Sequence, residues 1–514
     1  MEKQHRILLM LVSLCVAEAI IFINTTAFNL ALPSVAGSLH ASTAAQQWMV
    51  SIYSLCFLAI LLVSGFFGDL IGYRRVLLSG LVLYAVAAVL GSVAHTIILV
   101  IVARGLLGLA AGMFIPMGLA TITSVVSPGD NSKAVTLWTV AGTLGIPLGP
   151  VIGGLMTLLM GWRGLFVFDA VAIVIALVLN YLFMPRQHQS HIQNNQNRQN
   201  HQLKNSKIST RFPIIQATLI VVAMSALSVG LINAQTSFLS FTTLFPLCCG
   251  ILFAVSFSFL TLHAKHQLTD LTLMRFTSFQ VSSIALLLLN FVVFGISFIL
   301  PTYFQEAKGH NALMSGIMLM PMILSAIVGA LLSRNIIGRF GEKTACFINL
   351  ACIGFGLAVM ALAIHLDLYI LLSLGQIIAG IGMGAGQPVA FSWAFVDVPV
   401  ERMGKGSSLL TVFQQLGSIL GIGIFGSVQG ALYFQELTRE LNNTRLTAAH
   451  TITISLQQAG KVSGASGKLL KVSAIKAYET AGSINFVISA LVIFVILLIL
   501  IVLLHACSVK KSIP

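Results

Sequence analysis

Apolar positions along this chain neither alternate nor recur on one helical face; they run on without interruption. Apolar stretches of about 20 residues occur fourteen times, at approximately 7–30, 48–67, 76–94, 97–122, 134–160, 164–184, 212–232, 237–262, 277–300, 312–336, 345–365, 368–395, 405–433 and 483–507. At about 1.5 Å per residue each can cross a hydrocarbon core of about 30 Å as a helix. The pattern predicts an all-α, polytopic membrane protein whose even number of spans puts both termini on one side. With those termini cytoplasmic, nineteen of the 28 Lys and Arg residues fall in inner segments, as the positive-inside tendency requires. The outer segments then hold Arg163, Lys308 and six basic residues in a long 434–482 loop, and Arg104 alone lies within a span.

Composition agrees with this reading and narrows the function. Of 514 residues 57% are apolar and 8% charged, with mean hydropathy +0.97, which excludes a soluble globular protein. The formal charge of +14 is accounted for by topology and some affinity for anionic lipid head groups, so no nucleic-acid partner is expected. The opening MEKQHR and its apolar run are too long for a cleavable signal and read as the first span. Seven Cys without a CxxC support neither a disulfide scaffold nor a metal site, and His188 and His191 stand in a Gln/Asn/His-rich segment that reads as a solvated linker. No span carries a His/Glu metal pair or a Ser/His arrangement, so no catalytic residues, no metal and no cofactor are expected.

Displacing the chain by 272 residues places Gly108, Gly112 and Pro116 on Gly380, Gly384 and Pro388, and Lys133, Gly145, Gly149 and Gly154 on Lys405, Gly417, Gly421 and Gly426. Arg104 falls on Gln376, the one mismatch among these markers. Spans four and five thus repeat as twelve and thirteen with the same orientation, the mark of a parallel repeat about the membrane normal. The expected organisation is a six-helix half over 1–184, a cytoplasmic linker over 185–211, an inserted helix pair over 212–262, and a second six-helix half over 263–514 that includes the external 434–482 loop.

Four segments carry polar chemistry that close packing alone does not call for. GFFGDLIGYRR, from Gly65 to Arg75, sets Asp69 at a helix end with Gly72, Arg74 and Arg75 in the turn beyond. RGLLGLAAGMFIP puts Arg104 inside its span, where an unpaired charge costs at least a few kcal/mol and a partner is needed. GTLGIPLGPVIGG, from Gly142 to Gly154, sets Pro147 and Pro150 among glycines, a helix made to bend and pack closely. WRGLFVFDA, from Trp162 to Ala170, opens span six at the outer interface.

These segments, in this order, resemble the signature motifs of the major facilitator superfamily, in particular the fourteen-span drug:proton antiporters of the EmrB/QacA type. INTTAFNLALP (Ile23–Pro33) and GKGSSLLTVFQQLGSILG (Gly404–Gly421) resemble that group's first- and thirteenth-span motifs. The resemblance implies a major facilitator fold of fourteen transmembrane helices in a 6 + 2 + 6 arrangement, and secondary active transport by alternating access. It further implies an antiporter motif over Gly145, Gly149, Pro150, Gly153 and Gly154, proton coupling at Arg104, and a gating loop formed by Gly65, Asp69, Gly72, Arg74 and Arg75. The implied partners are a small-molecule substrate, protons, the lipid bilayer and a periplasmic adaptor protein, in the bacterial inner membrane. Efflux of amphipathic toxicants is the leading expectation; a dedicated metabolite or siderophore transporter and, distantly, a non-transporting sensor are the alternatives.

Two departures bear on the coupling. Where the first-span motif usually has aspartate this chain has Asn24, and where the span-six motif usually has asparagine it has Asp169. Glu18 adds a carboxyl near mid-span, and Glu18, Thr25 and Asn29 fall within about 20° of one helix stripe, which suits the wall of an aqueous cavity. Glu18 is read as a proton carrier or cation contact, as a structural partner of Arg104, or as the product of a shifted span boundary. The first of these, with coupling to Arg104, is the working expectation. Asp169, about 8 Å from the outer edge by helix rise, reads as an exposed or capping acid with a lesser claim on coupling.

Overall fold

The computed structural model describes residues 2–126, 128–184, 214–234, 240–263, 270–399, 402–442, 446–462 and 464–511. The 185–211 linker lies outside the described residues, as do the side chains of Gly65, Asp69 and Pro147. Among the described residues there is no strand. The helices are α1 (Glu2–Leu39), α2 (Thr43–Ile71), α3 (Tyr73–Ser92), α4 (Ile97–Val125), α5 (Pro128–Met160) and α6 (Arg163–Phe183). They continue as α7 (Ile214–Asn233), α8 (Phe241–His263), α9 (Thr277–Thr302), α10 (Ala312–Met318), α11 (Met320–Leu366), α12 (Tyr369–Ala394), α13 (Met403–Leu441), α14 (Ile452–Lys461) and α15 (Ala465–Lys511).

Among the described residues, twelve helical segments are long and apolar enough to cross a bilayer. One of them, Ala312–Leu366, is 55 residues long, about 80 Å at helical rise and far more than one crossing needs. It is interrupted at Gly341, whose φ of 73° breaks the helix and makes two spans of it. The 33-residue α5, kept supple by its Gly/Pro text, supplies the remaining span, which gives fourteen. We call the face on which α1 begins proximal and the opposite one distal. On the distal side the connections are short and capped: Ser42, Thr96 and Asn311 each accept a backbone N–H of the first turn of α2, α4 and α10.

The internal repeat reappears as repeated packing. A side chain at Gly108 or Gly112 of α4 would run into the Tyr53 and Phe57 carbonyls of α2, and one at Gly380 or Gly384 of α12 into the Met322 and Ala326 carbonyls of α11. Gly145 and Gly149 of α5 face the Ala19 and Ile23 carbonyls of α1; Gly417 and Gly421 of α13 face those of Leu287 and Phe291 on α9. Each pair meets carbonyls four residues apart, so equivalent helices are held by equivalent glycines. Helices α7 and α8 pack on each other through Gly230 against Leu247 and Gly250 against Leu227. The first of them fills a seam, with Ile220 and Met224 joining Leu55 and Leu58 of α2 and Val412 and Ile419 of α13 in one apolar cluster.

The stretch from 434 to 482, expected as an external loop, is helical over three pieces among the described residues. α13 runs on to Leu441, α14 starts from a Thr451 cap, and α15 begins at Ala465, eighteen residues before its apolar run at 483. This layer reaches across to α1: Gln457 Nε2 donates to the Gly37 carbonyl (2.9 Å), and its Oε1 lies 2.9 Å from His40 Nδ1. Other bonds also join the first six helices to the second half of the chain. Gln305 Nε2 donates to the Leu30 carbonyl (2.8 Å), and Gln47 Nε2 to the Ile422 and Gly423 carbonyls (3.1 and 3.2 Å). Lys308, ahead of α10, pairs with Asp367 at 2.5 Å and Glu479 at 2.6 Å. Burial works against its ammonium, yet the two carboxylates outweigh it and hold Lys308 above the usual lysine range, so it stays charged at neutral pH.

Candidate functional site: a buried polar bridge across three helices

Arg104 lies two turns into α4 with 1% of its surface exposed. A guanidinium so placed has lost its hydration and must recover it from fixed dipoles and charge. Its Nη1 donates to Asn24 Oδ1 of α1 (2.6 Å) and its Nε to the Met49 carbonyl of α2 (3.2 Å). Its flat face lies over the rings of Phe28 and Tyr53, 4.2 and 4.6 Å from their centroids, where the π quadrupole attracts a cation. Asn24 completes the arrangement by donating its amide N–H to Asp169 Oδ2 of α6. Cation and carboxylate therefore communicate through an amide, which accepts on its oxygen and donates from its nitrogen. A carboxylate at position 24 would accept on both sides and would need a donor at 169.

The structure corrects three expectations. Asp169 is neither exposed nor a cap: it is fully buried, and Trp162 occupies the N-cap position of α6. The hydrogen bonds of Arg104 run to Asn24 and Met49, not to Glu18. The Glu18–Thr25–Asn29 stripe lines no open cavity in this state, since Glu18 and Asn29 are each 4% exposed. Glu18 abuts Gly142 of α5, with its Oε2 buried and without a hydrogen-bond partner among the described residues; the same holds for Asn29 Oδ1, while Thr25 bonds the Ile21 carbonyl at 3.0 Å. Phe28, Met49 and Tyr53 were not picked out from the sequence. A backbone carbonyl leaves no trace there, but a tyrosine inside an apolar span, with a polar group to satisfy, was a usable signal.

The Gly/Pro segment of α5 proves to be a two-sided packing surface. Gly145, Gly149 and Gly153 press on α1 at Ala19, Ile23–Thr26 and Ala27. Gly154 and Pro150 face the other way: a Cβ at Gly154 would lie 2.7 Å from Leu313 Cα, and one at Gly316 2.5 Å from the Pro150 carbonyl oxygen. One face thus joins α5 to the helix bearing Glu18 and Asn24, and the other to α10 on the far side of the seam. Trp162 and Arg163 tie down the distal end of α6, through the Ser38 hydroxyl (2.8 Å) and the Ala94 carbonyl (3.0 and 2.7 Å). At the proximal end Gly72, with φ of 94°, makes the reversal from α2 to α3. Arg74 Nη2 there donates to the Tyr181 carbonyl of α6 at 2.9 Å, and Arg75 is exposed. Gln376, which stands where Arg104 does in the repeat, is buried with neither amide atom hydrogen-bonded among the described residues. The repeat keeps the packing and drops the charge.

Comparison with known proteins agrees with fold and motif alike. The chain is 25% identical over 428 residues to "Multidrug resistance protein Stp" of Mycobacterium tuberculosis (strain CDC 1551 / Oshkosh), covering 82% of this chain and 76% of that protein. It is 26% identical over 456 residues to "Probable actinorhodin transporter" of Streptomyces coelicolor, covering 85% and 76%. Among solved structures, an inward-facing bacterial homolog of the human lysosomal transporter Spinster superposes with a TM-score of 0.62 over 95% of this chain and 96% of that one at 14% identity. The nucleoside transporter NupG gives 0.61 over 96% and 99% at 12% identity. Residues 14–422 match the Major Facilitator Superfamily, and with the buried bridge, the paired glycine contacts and fourteen spans in place, the chain belongs to that superfamily of membrane transporters.

Proposed function

We propose that the protein is a proton-coupled exporter of amphipathic toxic compounds in the bacterial cytoplasmic membrane, with both termini cytoplasmic and the distal face external. The observation that carries this reading is the burial of Arg104 and Asp169, joined through Asn24, in a chain related to a protein named for multidrug resistance. Ionised Asp169 holds the Asn24 amide, whose carbonyl in turn holds Arg104. Protonation removes the negative charge and weakens the oxygen that accepts from Asn24, and the guanidinium is left short of compensation worth about 3–5 kcal/mol. Proton uptake is thereby tied to rearrangement of α1, α4 and α6, and inward proton movement adds about 2.3 kcal/mol per 100 mV. Asp169 takes precedence over Glu18 as the coupling carboxyl because Arg104 reaches it; Glu18, about 9 Å further along α1, is a second protonatable group.

In this reading residues 1–184 and 263–514 rock about the seam occupied by 212–262, and the distal bonds of Gln47, Gln305 and Gln457 belong to the externally closed state. Asp69, Arg74 and Arg75 form the cytoplasmic gating loop, where the Arg74–Tyr181 bond keeps α3 and α6 moving as one body. The external helical layer is the surface that a periplasmic adaptor would meet. Expression in an efflux-deficient host should raise tolerance to several chemically unrelated lipophilic compounds, and everted vesicles should take up such a dye when a pH gradient is imposed. An unchanged susceptibility panel together with uptake of a single polar metabolite would replace this function with a dedicated one.

The external closure has its own test. A Cβ at Gly37 would lie 3.7 Å from Thr453 Cγ2, so the two positions are neighbours across the seam. With the native cysteines replaced, Gly37→Cys combined with Thr453→Cys should form a disulfide on oxidation that stops transport, and reductant should restore it. Full transport by the oxidised, demonstrably bridged protein would refute a moving distal seam.

A further inference from the structure

On the outside of the molecule, away from the polar bridge, α11 and α15 diverge to leave an open groove of about 290 Å³. Its floor is made of small residues, Ala358 and Ala361 on α11 and Ala490 on α15. The one hydroxyl there, on Ser483, is already committed to the Ala361 carbonyl at 2.9 Å, so the floor offers nothing polar. Leu362 and Leu491 form the rims with 51% and 58% of their surface exposed, and they turn toward the bilayer. The groove is blind: at its deep end the Phe494 ring sits on Gly354, where a Cβ would be 3.0 Å from its Cζ. From Ser483 to Phe494 it runs about 16 Å, half of a hydrocarbon core of about 30 Å.

The distal mouth is polar. Exposed His365 ends the α11 wall, and two residues on, Asp367 keeps 70% of its side chain exposed although one oxygen holds Lys308. Lys308 also holds Glu479, one turn above Ser483, so the mouth carries two carboxylates to one ammonium. A dry, blind slot one leaflet deep, ending in a ring of net negative charge at head-group level, matches one kind of molecule. We infer that the groove binds a phospholipid of the distal leaflet with a primary-amine head group, phosphatidylethanolamine. One acyl chain lies along the alanine floor, the ammonium meets Asp367, and the phosphate meets His365. Phosphatidylglycerol brings a second negative charge to the same mouth, and phosphatidylcholine has no N–H to donate.

The test uses the full-length protein in vesicles containing one of three lipids, phosphatidylethanolamine, phosphatidylglycerol or phosphatidylcholine, each with the same diazirine-bearing acyl chain. Irradiation and peptide mapping should place the ethanolamine lipid on 358–366 and 483–494 about fivefold above the other two, the scale of one exposed ion pair. Ala358→Phe, which fills the slot from a half-buried position, should remove that labelling and leave labelling elsewhere unchanged. Asp367→Asn should keep the labelling but abolish the head-group preference; asparagine tolerates the left-handed backbone at this position (φ 54°), so the helix end survives. The inference fails if labelling is even around the bilayer-facing helices, if it is the same for all three lipids, or if Ala358→Phe leaves it intact. It also fails if the groove proves to be covered by a second copy of the chain in a dimer that persists after delipidation. Because the readout is bound lipid, these outcomes are independent of what the protein transports.

Discussion

Asp169→Asn should abolish pH-driven transport, and adding Asn24→Asp to it should bring transport back. The single substitution leaves Arg104 buried with no negative charge near it, a loss of about 3–5 kcal/mol, and takes away the group that binds the proton. The double exchange keeps one carboxylate and one amide between Arg104 and α6 and reverses only the direction of the bond between positions 24 and 169. The introduced carboxylate would stand where Asn24 Oδ1 now accepts from Arg104 at 2.6 Å, and the introduced amide would donate to it. Uptake by everted vesicles under an imposed pH gradient should fall about 100-fold or more in the single variant and return to within about tenfold of the parent in the double one, at about 1.4 kcal/mol per tenfold. Asn24→Asp alone should behave differently again, because two facing carboxyls cannot both ionise and one proton is retained. If the double exchange is as dead as Asp169→Asn while protein yield and thermal midpoint are unchanged, the bridge is structural, and Glu18 becomes the carboxyl to examine.

The two ends of that bridge were legible in the sequence because each departs from the pattern the chain resembles: amide for acid at 24, acid for amide at 169. Their meeting was not legible. Helix rise gives depth along each span, but depth says nothing about which helices are neighbours or which way a side chain points. Asp169 was misread for that reason, since a residue about 8 Å below a helix end is solvated or buried according to what stands beside it. The same limit applied to the glycines of α5. Small residues at every third or fourth position announce close approach, but not that Gly153 meets α1 while its neighbour Gly154 meets α10. In the 434–482 segment the helix boundaries were the part not legible: an apolar run ends at the membrane surface, whereas a helix ends only where capping or a turn stops it, so α13 and α15 continue into polar text without a signal.

The contrast between those adjacent glycines yields the second large effect. Gly154→Val should drive the protein out of its distally closed state, while Gly153→Val should weaken the fold without choosing between states. At Gly154 the new Cβ would stand 2.7 Å from Leu313 Cα and 2.8 Å from the Ala312 carbonyl oxygen, backbone atoms that no rotamer change can move aside. Overpacking of this kind costs about 1–3 kcal/mol. Because the contact crosses from α5 to α10, the cost falls only on conformations in which the two sides of the seam touch, and it shifts the closed-to-open ratio about 5- to 150-fold. At Gly153 the obstacle is Ala27 of α1, 2.8 Å away, on a helix that packs against α5 within the same six-helix set. An impermeant thiol reagent applied from the distal side should therefore label Gln305→Cys faster in the Gly154→Val background than in the parent, with pH-driven transport down about tenfold or more and the thermal midpoint little changed. In the Gly153→Val background the midpoint should fall and the labelling rate should stay at the parental value. Slow labelling in Gly154→Val together with a lowered midpoint would mean that α5 and α10 do not part during the cycle, and the seam would have to be sought elsewhere.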